Sequence, residues 1–155
     1  MTKIPESVAT FLAGKRFAVA GVSRDARQSA NAIFRKLRAS GYDAVPVNPH
    51  ADTLEGVTCY PDLSSIPGDL DGVVVATHPD AALDVVRQAA ARGIRQLWFH
   101  RSFGSGSVSD AAIAEARSLG LACIVGGCPL MFCEPVDVFH RCARGMLAWR
   151  GRLPD

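Results

Sequence analysis

Residues 72–75 read GVVV, and PDAALDVVRQAAARG follows at residues 79–93. Three successive valines do not suit a strand with one wet face; they suit a parallel strand buried on both. A parallel strand needs a crossover of a dozen or more residues to its neighbour, usually a helix. The next segment has that form: Pro79 and Asp80 open a helix, with Leu83, Val86 and Ala90 on one face. A chain built around this unit is confined to the α/β class.

The same alternation runs through the rest of the chain. RFAVA, residues 16–20, is a short apolar run that ends at Gly21 and reads as a strand. Ile33, Phe34 and Leu37 then recur at helical spacing, with Ser29 placed as N-cap and Gly41 as the residue past the C-cap. DAVPVNP, residues 43–49, is a second strand, closed by Pro49. Residues 50–68 hold too many prolines and glycines for a long element, and one short helical turn is expected near Ser64. GVVVATH, residues 72–78, is the third strand and QLWFH, residues 96–100, the fourth. A helix over Ser109–Leu119 ends at Gly120, and ACIVGG, residues 122–127, is the fifth strand. The tail carries one more helix, from about Pro135 to Trp149, with Val136, Phe139, Ala143 and Met146 as its apolar stripe. Right-handed crossovers then give a Rossmann-like three-layer sandwich with a mainly parallel five-stranded sheet and an extra C-terminal helix.

Composition removes several classes. A chain of 155 residues suits one domain, with a core over about 10–130 and an extension over 131–155. No window approaches the roughly 18 to 20 apolar residues of a membrane span, and Pro5 and Glu6 interrupt any signal-peptide core. A net charge of +2 is too mild to indicate nucleic acid. The odd count of five cysteines argues against a disulfide framework and points to a cytoplasmic location.

In such a sheet, ligands bind outside the carboxyl ends of the strands, where the strand order reverses. The residues just past the strands are therefore the candidates. They are Gly21, Val22, Ser23, Arg24 and Ser29 after the first, and Val47, Asn48, Pro49 and His50 at the second. Ala76, Thr77 and His78 end the third, His100 to Gly106 follow the fourth, and Cys128 and Pro129 follow the fifth. The first loop precedes a helix N-terminus, whose unpaired N–H groups and partial positive charge attract an anion. A dinucleotide fingerprint is weak here, because Gly21 stands alone where G-x-G-x-x-G needs three glycines. An NAD site also needs an acid at the second strand's end, and Asn48, Pro49 and His50 supply none. Such an end would tolerate a ribose phosphate, as in NADP or coenzyme A.

The combination GVSRDARQSANAIFRKLRASGYDAVPVNP, then LEGVTCYPDLSSIP, VVVATHP and finally GGCP resembles the coenzyme A binding family of small Rossmann proteins. That family is similar to the N-terminal domain of the succinyl-CoA synthetase alpha subunit. The resemblance covers about residues 10–130. It implies that the first loop and the second strand's end hold the nucleotide and phosphates, with the pantetheine arm crossing the carboxyl edge. It matches Gly21, Val22, Ser23 and Arg24 to the phosphate loop, Val47, Asn48 and Pro49 to the adenosine side, Thr77 to the third strand's end, and Cys128 with Pro129 to the closing motif. No ligase domain or phosphohistidine loop has a counterpart here, so catalysis is not implied.

Other features are weighed on their chemistry. Cys128 could form a mixed disulfide with coenzyme A if its pKa were lowered; the alternative is a small buried hydrophobe, the role assigned to Cys59 and Cys123. Cys128, Cys133, His140 and Cys142 match no common zinc spacing, and no metal is expected. His78 and His100, at neighbouring strand ends, could act as base or phosphate donor, but no carboxylate or serine completes a catalytic set, so a polar cap is the favoured role. RSFGSGSVS, residues 101–109, reads as a flap with Arg101 on phosphate, or as a flexible turn. Arg141, Arg144, Arg150 and Arg152 form a solvated helix face with a basic end. The function expected is a non-catalytic binding protein for coenzyme A or acyl-CoA. The alternatives are an NADP-dependent oxidoreductase on the same fold, or a thiol-redox protein acting through Cys128. The partners expected are a small-molecule nucleotide ligand and, as an open option, a second copy of the chain, with no nucleic acid and no membrane.

Overall fold

Successive side chains of a strand point to opposite faces, so an uninterrupted apolar run must feed two cores at once. The computed structural model, which describes residues 3–101 and 106–154, shows this division. Strands β1 (Arg16–Ala20), β2 (Asp43–Val47), β5 (Gly72–Val75), β6 (Gln96–Phe99) and β7 (Ala122–Val125) form one parallel sheet in the order β2-β1-β5-β6-β7. Phe17, Val19, Val74, Trp98 and Ile124 face one core. Ala18, Ala20, Val73, Val75, Leu97 and Phe99 face the other.

Helices α1 (Glu6–Leu12) and α2 (Ser29–Ala39) cover the first face, joined by the short 3-10 helix Pro129–Met131. Helices α3 (Pro79–Ala91) and α4 (Asp110–Ser118) cover the second. Phe11, Phe17, Trp98 and Phe132 stack edge and face through the first core, with centroids 4.6 to 5.8 Å apart. The Trp98 indole N–H donates to the Gly126 carbonyl at 2.9 Å, which satisfies the one polar atom of this fully buried ring. Pro46 lies within β2 without breaking the sheet because β2 is an edge strand, where a missing donor is tolerated.

Several expectations change in detail. Helix α1 was not foreseen. The crossover after β2 holds a two-stranded hairpin, β3 (Thr53–Leu54) with β4 (Val57–Thr58), turned at Glu55 and Gly56, both with positive φ. Near Ser64 the chain makes a turn rather than a helix, because the Asp62 carboxylate accepts from the Ser64 and Ser65 hydroxyls and the Ser65 N–H. The third and fifth strands stop at Val75 and Val125, short of the expected ends. Ser29 is already the first helical residue, so its hydroxyl lies past the capping position; Gln28 is the N-cap and makes no side-chain cap bond.

Helix α3 buries Ala82, Val85, Val86 and Ala89, leaving Leu83 and Ala90 at the margin of that face. Helix α5 (Val138–Trp149) starts later than expected, behind the Asp137 cap. Val136 is buried but precedes it, while Phe139 and Met146 face outward; Ala143 and Leu147 make the inward contact.

Candidate functional site

Strand order reverses between β1 and β5: the chain leaves β1 for β2 on one side and returns across it to β5 on the other. The chain leaves β1 for α2 on one face and β5 for α3 on the other, and a crevice lies between these two exits. Gly21 forms its floor. Its φ of +109° is open only to glycine, and a Cβ would lie 2.3 Å from the Ala76 carbonyl oxygen and 2.9 Å from the Thr77 nitrogen. The exit from β1 thus touches the end of β5 through backbone alone.

A cavity of about 180 Å³ opens beside this contact, on the α3 side of the sheet. Gly21, Val47, Asn48, Pro49 and Thr77 line it, together with Asp84 and Gln88 of α3. The Thr77 hydroxyl oxygen is buried without a hydrogen-bond partner among the described residues. The Asp84 carboxylate accepts from the Gln88 side-chain amide at 2.6 Å, and the Gln88 carbonyl accepts from the Leu63 N–H at 3.0 Å, which ties the crossover to this wall.

Asn48 joins two strand ends. Its Nδ2 donates to the Val22 carbonyl at 2.9 Å, and its Oδ1 accepts from the His50 N–H at 2.8 Å. Arg24 reaches across the same gap, donating to the His50 carbonyl at 2.6 Å. The Ser23 hydroxyl is turned back on Asp25, accepting from its N–H at 3.1 Å and donating to its carbonyl at 3.2 Å. Arg27 pairs with Asp25 at 2.9 Å and holds that exposed carboxyl below the usual carboxylate range.

Two residues that order this loop escaped the sequence reading. Asn31, 1% exposed, accepts from the Ser23 N–H at 3.0 Å and donates to the Ser23 carbonyl at 2.8 Å and to Glu55 at 2.7 Å. Glu55, at the hairpin turn, also accepts from Arg35 at 2.7 Å. The available signal was an asparagine on the inward face of a helix, where asparagine is disfavoured unless its amide is used.

The remaining candidates lie apart from the cavity. Ser29 is exposed on α2. His78 is exposed and caps α3, its Nδ1 accepting from the Asp80 N–H at 3.3 Å. His100 is buried, and desolvation lowers its pKa to about 4, so the two histidines at adjacent strand ends sit in opposite environments. Cys128 and Pro129 lie past β7, at the start of the 3-10 helix, and β7 itself is three strand spacings from β1, roughly 14 Å. Cys128 is 3% exposed and packs in the first core. Near it, burial pushes the Cys133 thiol up to about 12. No group of three or more His, Cys, Asp or Glu is arranged to hold a metal among the described residues. Residues 102–105 of the expected flap lie outside the described residues; Arg101, at its start, donates its N–H to the Gly127 carbonyl.

A family model described as "CoA binding domain" matches residues 15–134. The chain is 31% identical over 110 residues to the acetate–CoA ligase (ADP-forming) II of Archaeoglobus fulgidus, across 70% of this chain and 16% of that ligase. It therefore spans a small part of that relative's length. A hypothetical protein from Pyrococcus horikoshii OT3 superposes with a TM-score of 0.72 at 25% identity, covering 83% of this chain and 92% of that one. The dinucleotide-forming acetyl-coenzyme A synthetase 1 of Ca. Korarchaeum cryptofilum, in complex with phosphate and ADP, superposes with a TM-score of 0.61 at 28% identity, over 73% of this chain and 25% of that one.

Proposed function

We propose that this chain, which belongs to the CoA binding domain family, is a single-domain, non-catalytic module that holds coenzyme A or an acyl-CoA at the carboxyl ends of its parallel strands. The observation that carries the reading is the cavity at the strand-order reversal, bounded by Gly21, Asn48 and Thr77 inside the family match. At about 180 Å³ it is smaller than the roughly 300 to 1,000 Å³ of a whole ligand pocket, so it would house one end of an extended ligand.

On this reading the adenosine end enters the cavity, where Thr77, Asp84 and Asn48 offer polar contacts. The phosphates lie over Gly21, Val22, Ser23 and Arg24, beside the α2 N-terminus, whose first turn lacks a side-chain cap bond. The pantetheine arm then runs along the carboxyl edge toward β6 and β7. The partners are this ligand and a second copy of the chain, and the odd cysteine count supports a cytoplasmic setting. No helix among the described residues is long and apolar enough to cross a membrane. Nothing comparable supports NADP or a mixed disulfide: the matched family is described by CoA, and thiol exchange needs a reachable sulfur, whereas Cys128 is 3% exposed.

Thermal shift against coenzyme A, acetyl-CoA, NADP and ADP tests the proposal. A ligand at 100 times its Kd should stabilise the fold by about 2.7 kcal/mol. Stabilisation by coenzyme A is expected, and a response to NADP with none to coenzyme A would overturn it. Ser23→Asp should weaken coenzyme A binding by setting like charge beside a phosphate; unchanged affinity would place the phosphates elsewhere.

A further inference from the structure

Helix α5 has no buried residue, although it carries five apolar or sulfur-bearing side chains that do not face the core. Val138 is 75% exposed, Phe139 63%, Met146 41% and Trp149 84%, and Cys142 is exposed as well. At the helical repeat these five fall within about 100° of arc, the width of a face that normally packs against another element. Gly145 borders the stripe, and a Cβ there would meet nothing within 4 Å, so a second backbone can approach closely.

The helix is nonetheless firmly seated. Ala143 and Leu147 pack on the first core, and Arg144 donates to the Met131 carbonyl at 3.2 Å and lies over the Phe132 ring. After α5 the chain folds back, so that Pro154 lies 3.0 Å from where a Gly127 Cβ would stand. The outward stripe is therefore presented by a fixed helix. It also lies outside residues 15–134, the span of the family match.

Charge selects the occupant. Glu134 and Asp137 are exposed at the start of the helix, and Arg150 and Arg152 are exposed at its end. A second copy laid antiparallel sets the acidic end of each helix against the basic end of the other. A parallel copy would set like charges together. We propose that this face is a two-fold interface, in which α5 of one chain packs antiparallel on α5 of another, crossing near Cys142, Gly145 and Met146. A self-complementary patch of this kind closes at two copies. The stripe is short, so the interface belongs to the small class below about 1,200 Å² in total, with a dissociation constant on the order of micromolar.

Sedimentation equilibrium over a concentration series gives the test. The wild-type chain should reach twice its mass of 16.5 kDa, with less association at high salt. Phe139→Glu with Trp149→Glu should stay monomeric while keeping the wild-type circular dichroism, and its melting temperature should not change with protein concentration, whereas that of the wild type rises with it. A short bis-maleimide should join two chains through Cys142, and Cys142→Ser should abolish the product. A wild-type chain that remains monomeric at concentrations far above micromolar overturns the proposal. So does a dimer that survives the double substitution. Monomers that instead pellet with anionic phosphatidylserine vesicles would assign the stripe to a membrane surface and would equally overturn it.

Discussion

At Gly21 two independent constraints meet: a φ of +109° and a peptide bond already in contact with the Cα. Alanine there would meet the cost of a left-handed backbone, about 1 to 3 kcal/mol, and a 2.3 Å approach to the Ala76 carbonyl. Gly21→Ala should therefore lower stability by at least about 2 kcal/mol in urea unfolding and spread β1 from β5, with coenzyme A binding lost even where the variant folds. A variant of wild-type stability would show that the two strand ends move apart freely. Asn48 and Thr77, which line the cavity, were among the candidates because the sheet rule places ligands beyond strand ends, although β5 stops at Val75, three residues before the end that the apolar run suggested. Asn31 and Glu55 were not, since their bonds join segments 24 positions apart through a hairpin that the sequence did not announce.

Among the elements, the loop after β1 depends on that hairpin. Asn31 holds both the N–H and the carbonyl of Ser23 and hands its remaining donor to Glu55. Asn31→Ala leaves those groups to find other partners, which should cost about 1 to 3 kcal/mol in equilibrium unfolding and weaken coenzyme A binding beyond the loss of stability. Binding unchanged in that variant would mean the loop is ordered from another side. The five strands were readable because each is a short apolar run bounded by glycine, proline or polar residues, and in the four other than the edge strand β7 that run is buried almost throughout. The hairpin was not, because each of its strands has two residues, too few for any period to show. Helix α5 shows a second limit: periodicity identifies an apolar stripe but not the direction it faces, so Phe139 and Met146 were taken for core and lie outside.

For the molecule as a whole, pH enters through His100. Its folded pKa of about 4 lies below the ordinary 6.5 because burial disfavours the charged ring. Between those values the unfolded chain binds the extra proton, so stability is complete above pH 6.5 and falls as pH drops toward 4. The loss should reach about 3 kcal/mol. Asp25, Asp62, Asp71 and Asp137 are held below their ordinary 3.8 by hydrogen bonds, so their contributions fade in a lower range and do not obscure this window. Urea unfolding from pH 7 to 4 should show the slope in the wild type and a flatter profile in His100→Gln; identical profiles would assign the proton to another group.

The backbone contact between Gly21 and the Ala76–Thr77 peptide also sets a gauge. With no side chain between them, the separation of the two strand ends is fixed by backbone contact and by the bond from the Ala76 N–H to the Ala20 carbonyl at 2.9 Å, and substitutions around the rim do not enter it. Lineages of this chain could then retune which groups a ligand meets, through Asn48, Asp84 or Gln88, while the slot that admits it keeps one width.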